Sequence, residues 1–232
     1  MLVGDFDPQD ALKRIEKLYG PIRRGDPLPP VPDGEPPQKG ERRAIIQYPA
    51  QAPALLAGFR TPHGRQPDSL VLDLIEAALS YGEGARLKRA LVYEQELCVD
   101  ANVYFGWRMD PGLFQISLKL NPGVSPSRAE SALWSELARI ADEAVGEAEL
   151  QRAKNFVRSG LLRALQTGNG RAHTLGQMEV MLGTWRAFLD LPDRYQAITA
   201  ADVQRVARAT FAPYRRNLVT LVPGELPEEA AA

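Results

Sequence analysis

The sequence predicts an α+β fold, with a mainly antiparallel sheet and helices packed on one side of it. Five short stretches of alternating or β-branched apolar residues carry this prediction, and helical stretches lie between them. The predicted strands are Arg43–Tyr48, Leu55–Arg60, Leu97–Met109, Leu113–Leu120 and Asn217–Val222. The first four form two pairs joined by short Pro- or Gly-containing turns, and such pairs run antiparallel.

The first 20 residues predict the end of a strand followed by a helix. Leu2 and Val3 have the character of a strand tail, and Asp7 is placed to cap a helix that has Pro8 at its first position. Apolar side chains then recur at helical spacing until Gly20 ends the run. These residues are Ala11, Leu12, Ile15, Leu18 and Tyr19.

A proline-rich stretch separates this segment from the rest of the chain. Pro21–Pro37 contains 7 prolines in 17 residues. Proline lacks a backbone donor and fixes its own φ, so neither a helix nor a central strand fits there. We therefore interpret residues 21–38 as a semi-extended linker.

Two helices are predicted between the strand pairs, and several after them. Asp68 is expected to cap the first, and Gly82-Glu83-Gly84 separates it from the second, Ala85–Gln95. Ser125 and the pair Ser127/Glu130 predict the start of the next helix. The remaining predicted helices are Glu147–Gln166, which Gly168-Asn169-Gly170 would end, then Ala172–Phe188, Pro192–Ala197, and a last helix that begins with a Thr199/Asp202 capping box.

Composition excludes several classes of function. The net charge is −1, which leaves no surplus of Lys and Arg to neutralise a nucleic-acid backbone. No apolar run is long enough for a membrane span. The single cysteine, Cys98, sits in an apolar alternating run and is predicted to be a buried small side chain. Glu94 and Glu96, two residues apart, are predicted to be solvated charges.

Three segments, in this order, resemble the pitrilysin/insulinase group of zinc peptidases, which includes mitochondrial processing peptidase. Each motif is short, but together they extend over nearly the whole chain. They are Leu2–Pro8 with the helix after it, Gly58-Phe59-Arg60-Thr61-Pro62 with the Asp68 helix and Ala85-Arg86-Leu87, and Thr199–Ala207 with Asn217–Pro223.

The resemblance implies a protein of two similar α+β halves that close on an unfolded peptide. The first half holds zinc through H-x-x-E-H, and this chain has only His63 and His173, which are 110 residues apart. We therefore expect no cofactor in this chain and zinc in the missing half. The implied division is a remnant of the first half in residues 1–20, a linker in 21–38, the non-catalytic C-terminal domain in 39–223 and a loose tail in 224–232.

The resemblance also implies a site and a departure from it. Many second halves carry an arginine on the helix after Arg86-Leu87 and a tyrosine seven residues later, which hold the substrate and stabilise the oxyanion. The matching residues here are Val92 and Val99, and neither can donate a hydrogen bond. The residues expected to face the substrate cleft are Val92, Glu96, Val99 and Ala101.

The sequence hypothesis is a substrate-enclosing, non-catalytic domain of a zinc-dependent metalloendopeptidase that acts on unfolded peptides and is inactive alone. Its expected partners are the N-terminal metal-binding half or a partner subunit, and an extended peptide. The alternative is a structural or assembly subunit that has lost catalysis, which the valines at positions 92 and 99 also fit. The sequence leaves open whether the parent protein is active, and whether it works in the bacterial periplasm or cytoplasm.

Overall fold

The computed structural model describes residues 1–26, 29 and 36–224. Most of the proline-rich middle of the predicted linker, residues 27–28 and 30–35, lies outside the described residues. The predicted loose tail does too, from residue 225 onward. In the part of the chain that the structure describes, no helix is long and apolar enough to cross a membrane.

Five strands form one sheet in the spatial order β1-β5-β2-β4-β3. The strands are β1 (Arg42–Tyr48), β2 (Ala54–Arg60), β3 (Cys98–Tyr104), β4 (Leu113–Leu120) and β5 (Asn217–Pro223). All neighbouring pairs are antiparallel except β1 and β5, which run parallel. The predicted α+β fold with a mainly antiparallel sheet is thus confirmed, and β1 and β3 are the two edges.

Seven α-helices and two short helices of other types accompany the sheet in the described residues. The α-helices are α1 (Pro8–Tyr19), α2 (Asp68–Ser80), α3 (Pro126–Asp142), α4 (Glu147–Ala164), α5 (Gly168–Leu182), α6 (Ala187–Ala197) and α7 (Ala200–Thr210). Lys88–Glu94 forms a π-helix, and Pro213–Arg215 forms a turn of 3₁₀-helix.

The core lies between one face of the sheet and the helices. Along β2, Leu55 and Phe59 are fully buried, whereas Leu56, on the opposite face, is 43% exposed. This alternation follows from the two-residue period of a strand. Phe59 makes edge contacts with Trp134 at 6.2 Å and with Phe211 at 5.0 Å, which join the sheet to α3 and to the end of α7.

Helix α2 is the central helix of this layer. Eleven of its residues are buried, and it packs against α4, α6 and α7. Asp68 does not cap it as predicted, because the helix begins at Asp68 itself and no side chain caps it. The carboxylate of Asp68 instead accepts hydrogen bonds from Arg205 at 2.9 and 3.2 Å, which ties α2 to α7.

The helix predicted over Ala85–Gln95 is present, and its main part is a π-helix rather than an α-helix. The chain forms a π-helix over Lys88–Glu94, in which the amide of Gln95 donates to the carbonyl of Ala90 at 3.1 Å. The wider turn accommodates one extra residue while Leu87 and Leu91 both remain fully buried. Packing against the sheet therefore outweighs the preference for regular α-helix.

Helix starts in the second half of the chain agree only in part with the predictions. The Thr199/Asp202 capping box is present. Ser125 lies at the N-cap of α3, but no side chain caps the helix. The predicted Ser127/Glu130 pair lies inside the helix, where Glu130 accepts hydrogen bonds from Arg43 and Trp134. Gly168 begins α5 rather than ending α4, since Thr167 caps α5 by accepting from the amide of Gly170.

Two further predictions at element boundaries are wrong. Leu2 and Val3 lie in no strand. Helix α6 begins at Ala187, five residues before the predicted start at Pro192, so the proline lies inside the helix. Proline there still allows a helix, because only one main-chain donor is lost and buried Phe188, Leu191 and Tyr195 hold the segment in place.

Candidate functional site

The residues predicted to face a substrate cleft lie along the π-helix and edge strand β3. Val99 is 62% exposed, and Glu96 is exposed just before the strand begins. Val92 is half-buried and packs against the core. Ala101 has 0% exposure and belongs to the core, so its side chain faces the helices rather than the solvent.

The backbone at the start of β3 is irregular. Glu96 has a φ of 50°, in the left-handed region that a non-glycine residue seldom adopts. Its carbonyl accepts a hydrogen bond from Asn121 at 2.7 Å. The register with β4 then shifts between Cys98 and Asp100, so Val99 occupies a β-bulge. This bulge directs Val99 away from the regular ladder and into the solvent.

The polar groups next to Val99 already have partners. Asp100 accepts a hydrogen bond from the amide of Ala101 at 3.0 Å and another from the side chain of Asn102 at 2.6 Å. Neither Val92 nor Val99 carries a donor. The exposed side chain of Val99 thus lies beside an acidic residue of β3 whose hydrogen bonds are made within the same strand.

The histidines of the chain do not form a zinc site. His63 lies in a loop near Gln66, whose side chain is 3.5 Å from its Nε2 atom, and His173 is exposed on α5. Within the described ranges, no group of three or more His, Cys, Asp or Glu residues could hold a metal ion. The residues present therefore do not fit the zinc that the two-half architecture implies.

Cys98 is buried, as predicted. Burial raises the pKa of its thiol to about 11, and the nearby Asp100 contributes to the increase. A thiol with so high a pKa carries almost no thiolate at neutral pH, and the thiolate is the reactive form. Cys98 is therefore a packing residue of β3.

Two acidic side chains on α2 form a cluster that the sequence reasoning missed. Asp73 accepts hydrogen bonds from Trp107 at 3.0 Å and from Tyr195 at 2.5 Å. Burial raises the pKa of Asp73 to about 7, although both hydrogen bonds oppose the increase. The available signal was the presence of Asp73 and Glu76 in the apolar stretch between Ser69 and Ser80.

Glu76 is the second member of this cluster and is only 6% exposed. Its Oε1 atom accepts hydrogen bonds from the Tyr81 hydroxyl at 3.0 Å and from the amide of Phe105 at 3.2 Å. Burial raises the pKa of Glu76 to about 7, and that of Tyr81 to about 12. The amide of Phe105 therefore bonds to a side chain, and β3 ends at Tyr104 rather than at the predicted Met109.

The five-stranded, mainly antiparallel sheet with helices on one face defines an α+β domain. The chain belongs to the peptidase M16 inactive domain family, whose model matches residues 1–157. It is thus a non-catalytic, metallopeptidase-like domain, and the resemblance seen in the sequence is confirmed.

Individual relatives have a similar sequence or the same fold. An uncharacterized zinc protease of Mycobacterium leprae is 22% identical over 208 residues, which cover 89% of this chain and 46% of that protein. The structure of a protease from Helicobacter pylori matches with a TM-score of 0.87 at 21% identity, covering 95% of this chain and 54% of the other. A chain of complex III2 from Candida albicans matches with a TM-score of 0.76 at 14% identity, covering 94% of this chain and 53% of that one.

In these three comparisons, the covered share of this chain is much larger than the covered share of the relative. Each comparison takes in nearly all of this chain, while the chain spans about half the length of the relative that it matches.

Proposed function

We propose that this chain is the substrate-enclosing, non-catalytic half of a zinc-dependent metalloendopeptidase that acts on unfolded peptides, and that it is inactive alone. The observation that carries the proposal is membership of the inactive domain family, combined with coverage of only half of a zinc protease. In this account, zinc and the general base belong to the partner half, and this chain supplies one wall of the cleft.

Helix α1 is the surface proposed to join the two halves. It is strongly amphipathic, yet none of its residues is buried. Four large apolar side chains are more than two-fifths exposed, namely Leu12, Ile15, Leu18 and Tyr19. An apolar stripe of this kind normally packs against another element. The remainder of a protein about twice this length is the natural element to cover it.

The exposed edge of β3 is the proposed substrate-facing wall. The side chains of Val99 and Glu96 are exposed there, and Val92 lies behind them on the π-helix. An extended peptide can pair with such an edge while its side chains contact the apolar bulge. Ala101, which is fully buried, would support this wall from within rather than contact the peptide.

The proposal is tested by metal analysis and a cleavage assay on the isolated chain. We expect less than stoichiometric zinc after dialysis against zinc-containing buffer, and no cleavage of an unfolded fluorogenic peptide. Retention of one zinc ion per chain, or metal-dependent cleavage by the chain alone, would overturn the proposal.

A second function is favoured by one comparison. The relative from Candida albicans is a chain of complex III2, which by its name is an assembly. The donor-free Val92 and Val99 fit a scaffold equally well. This function requires that the two halves bind each other while the complex cleaves no peptide.

A further inference from the structure

A pocket separate from β3 lies between the end of α2, the loop Gly82–Gly84 and helix α4. Its volume is about 330 Å³. The size falls within the range of sites that hold small ligands or single side chains. Its floor consists of buried alanines, namely Ala77, Ala78, Ala85 and Ala153. Small side chains at these positions keep the space open.

Two aromatic side chains line one wall of the pocket. Tyr81 and Phe156 stack with their ring centroids 4.2 Å apart and an angle of 15° between the planes. Both remain about two-fifths exposed although they contact each other. The hydrogen bond from Tyr81 to Glu76 holds the ring in place. A rigid, accessible aromatic pair of this kind is typical of a surface that binds an apolar side chain.

The charged groups at the rim differ in whether they have partners. Glu149 accepts hydrogen bonds from Arg86 at 2.6 and 2.9 Å, and Glu83 accepts one from Tyr93. Both carboxylates are therefore engaged. Arg152, which is exposed, has no hydrogen bond or ion pair to any residue that the structure describes.

We propose that this pocket binds the C-terminal carboxylate of a peptide whose last side chain is apolar. The apolar side chain fills the space above the alanine floor and packs against Tyr81 and Phe156. The carboxylate meets the guanidinium group of Arg152, the unpaired charge at the rim, and a charge-assisted bond of this type is short and strong.

The loop beside the pocket allows a peptide main chain to approach. A Cβ atom added to Gly82 or Gly84 would meet no atom within 4 Å, so the space beside both glycines is open. The loop also connects with the proposed cleft wall, because Glu83 is bonded to Tyr93, the residue after Val92. The choice of a peptide as ligand rests on the proposed function.

The test is the binding of a short labelled peptide to the full chain, measured by fluorescence anisotropy near pH 7.5. One probe ends in Leu-Phe with a free carboxylate, and the other is the same peptide with a C-terminal amide. We expect the free acid to bind at least about tenfold more tightly, the usual effect of a hydrogen-bonded charge. Arg152→Gln should abolish this preference, and Phe156→Ala should weaken the binding of both probes.

Arg158→Gln is the matched control, because Arg158 is exposed on the same helix and does not line the pocket. This variant should keep the preference for the free acid. Equal binding of acid and amide by the wild type, a preference that survives in Arg152→Gln, or no binding of the free acid at millimolar concentration would each overturn the proposal. Because the assay uses neither zinc nor the partner half, its failure is distinguishable from failure of the proposed peptidase function.

Discussion

The carboxylate of Asp73 accepts a hydrogen bond of 2.5 Å from the hydroxyl group of Tyr195, which joins α2 to α6 across 122 positions of the chain. Trp107 donates to the same oxygen, from the segment that follows β3. One acid on the central helix thus fixes two separate parts of the chain. Burying the carboxyl group of Asp73 costs free energy. The contact holds α6 in place only if Tyr195 and Trp107 keep donating to that group.

Removing the Tyr195 hydroxyl group should destabilise the fold. Tyr195→Phe keeps the ring but leaves the buried carboxyl of Asp73 with one donor fewer. We expect the free energy of unfolding to fall by about 1–3 kcal/mol, measured by urea denaturation. Tyr214→Phe is the control, since Tyr214 is 53% exposed. Equal losses in the two variants would contradict the assigned role of the hydroxyl group.

Stability should depend on pH through Glu76. Burial raises the pKa of Glu76 from 4.5 to about 7, so the folded state binds this proton more tightly than the unfolded state. The cost of burying the charge is therefore absent below about pH 4.5, and it grows as the pH rises to about 7.

Glu76→Gln should remove this cost while keeping an oxygen that accepts from Tyr81 and Phe105. We expect the difference in free energy of unfolding between Glu76→Gln and the wild type to grow in favour of the variant, by about 1–3 kcal/mol from pH 5 to pH 8. The measurement is urea denaturation at both pH values. Asp110→Asn, at an exposed turn position, is the control and should show no such change. Curves for Glu76→Gln that run parallel to the wild type would refute the assignment.

The two faces of β2 should respond differently to truncation. Phe59→Ala removes a fully buried ring that contacts Trp134 and Phe211, and we expect a loss of about 3–5 kcal/mol in the free energy of unfolding. Leu56→Ala, three residues earlier on the uncovered face, should cost less than about 1 kcal/mol in the isolated chain. A large loss from Leu56→Ala would mean that something covers that face.

The apolar side of α1 should matter for association and not for the stability of this chain. Leu12→Gln and Leu18→Gln should leave the thermal midpoint unchanged, because neither side chain is buried. Together they should weaken binding to the separately produced metal half by about tenfold or more, as measured by calorimetry. Lys17→Gln, which removes a charge from the same helix but no apolar side chain, is the control. Unchanged affinity in the leucine variants would show that α1 is not the contact.

The strands could be predicted from sequence because alternating burial leaves a local pattern, and β2 and β4 fall within a residue of their predicted bounds. The failures occur where distant partners decide the outcome. Asp68 and Glu130 look like helix caps locally, but arginines far along the chain engage both carboxylates. The end of β3 depends on Glu76 for the same reason.

The position of the candidate site stays a prediction, and the local geometry of its residues could not be read from the sequence. The resemblance directed attention to Val92 and Val99, and the structure places them on the π-helix and the β-bulge next to it. Neither irregularity has a local sequence signal, because both arise from fitting the chain against the sheet. The pocket beside α4 could not be predicted from the sequence for a similar reason. Tyr81 and Phe156 are brought together only by the packing of α2 on α4.

The measurement that tests the central claim most directly is complementation. This chain is mixed with a separately produced half that carries the H-x-x-E-H motif, and cleavage of an unfolded peptide is followed with zinc present. We predict cleavage in the mixture and none with either half alone. If the two halves bind each other and the mixture still cleaves no peptide, the chain is a structural subunit and the peptidase account is wrong.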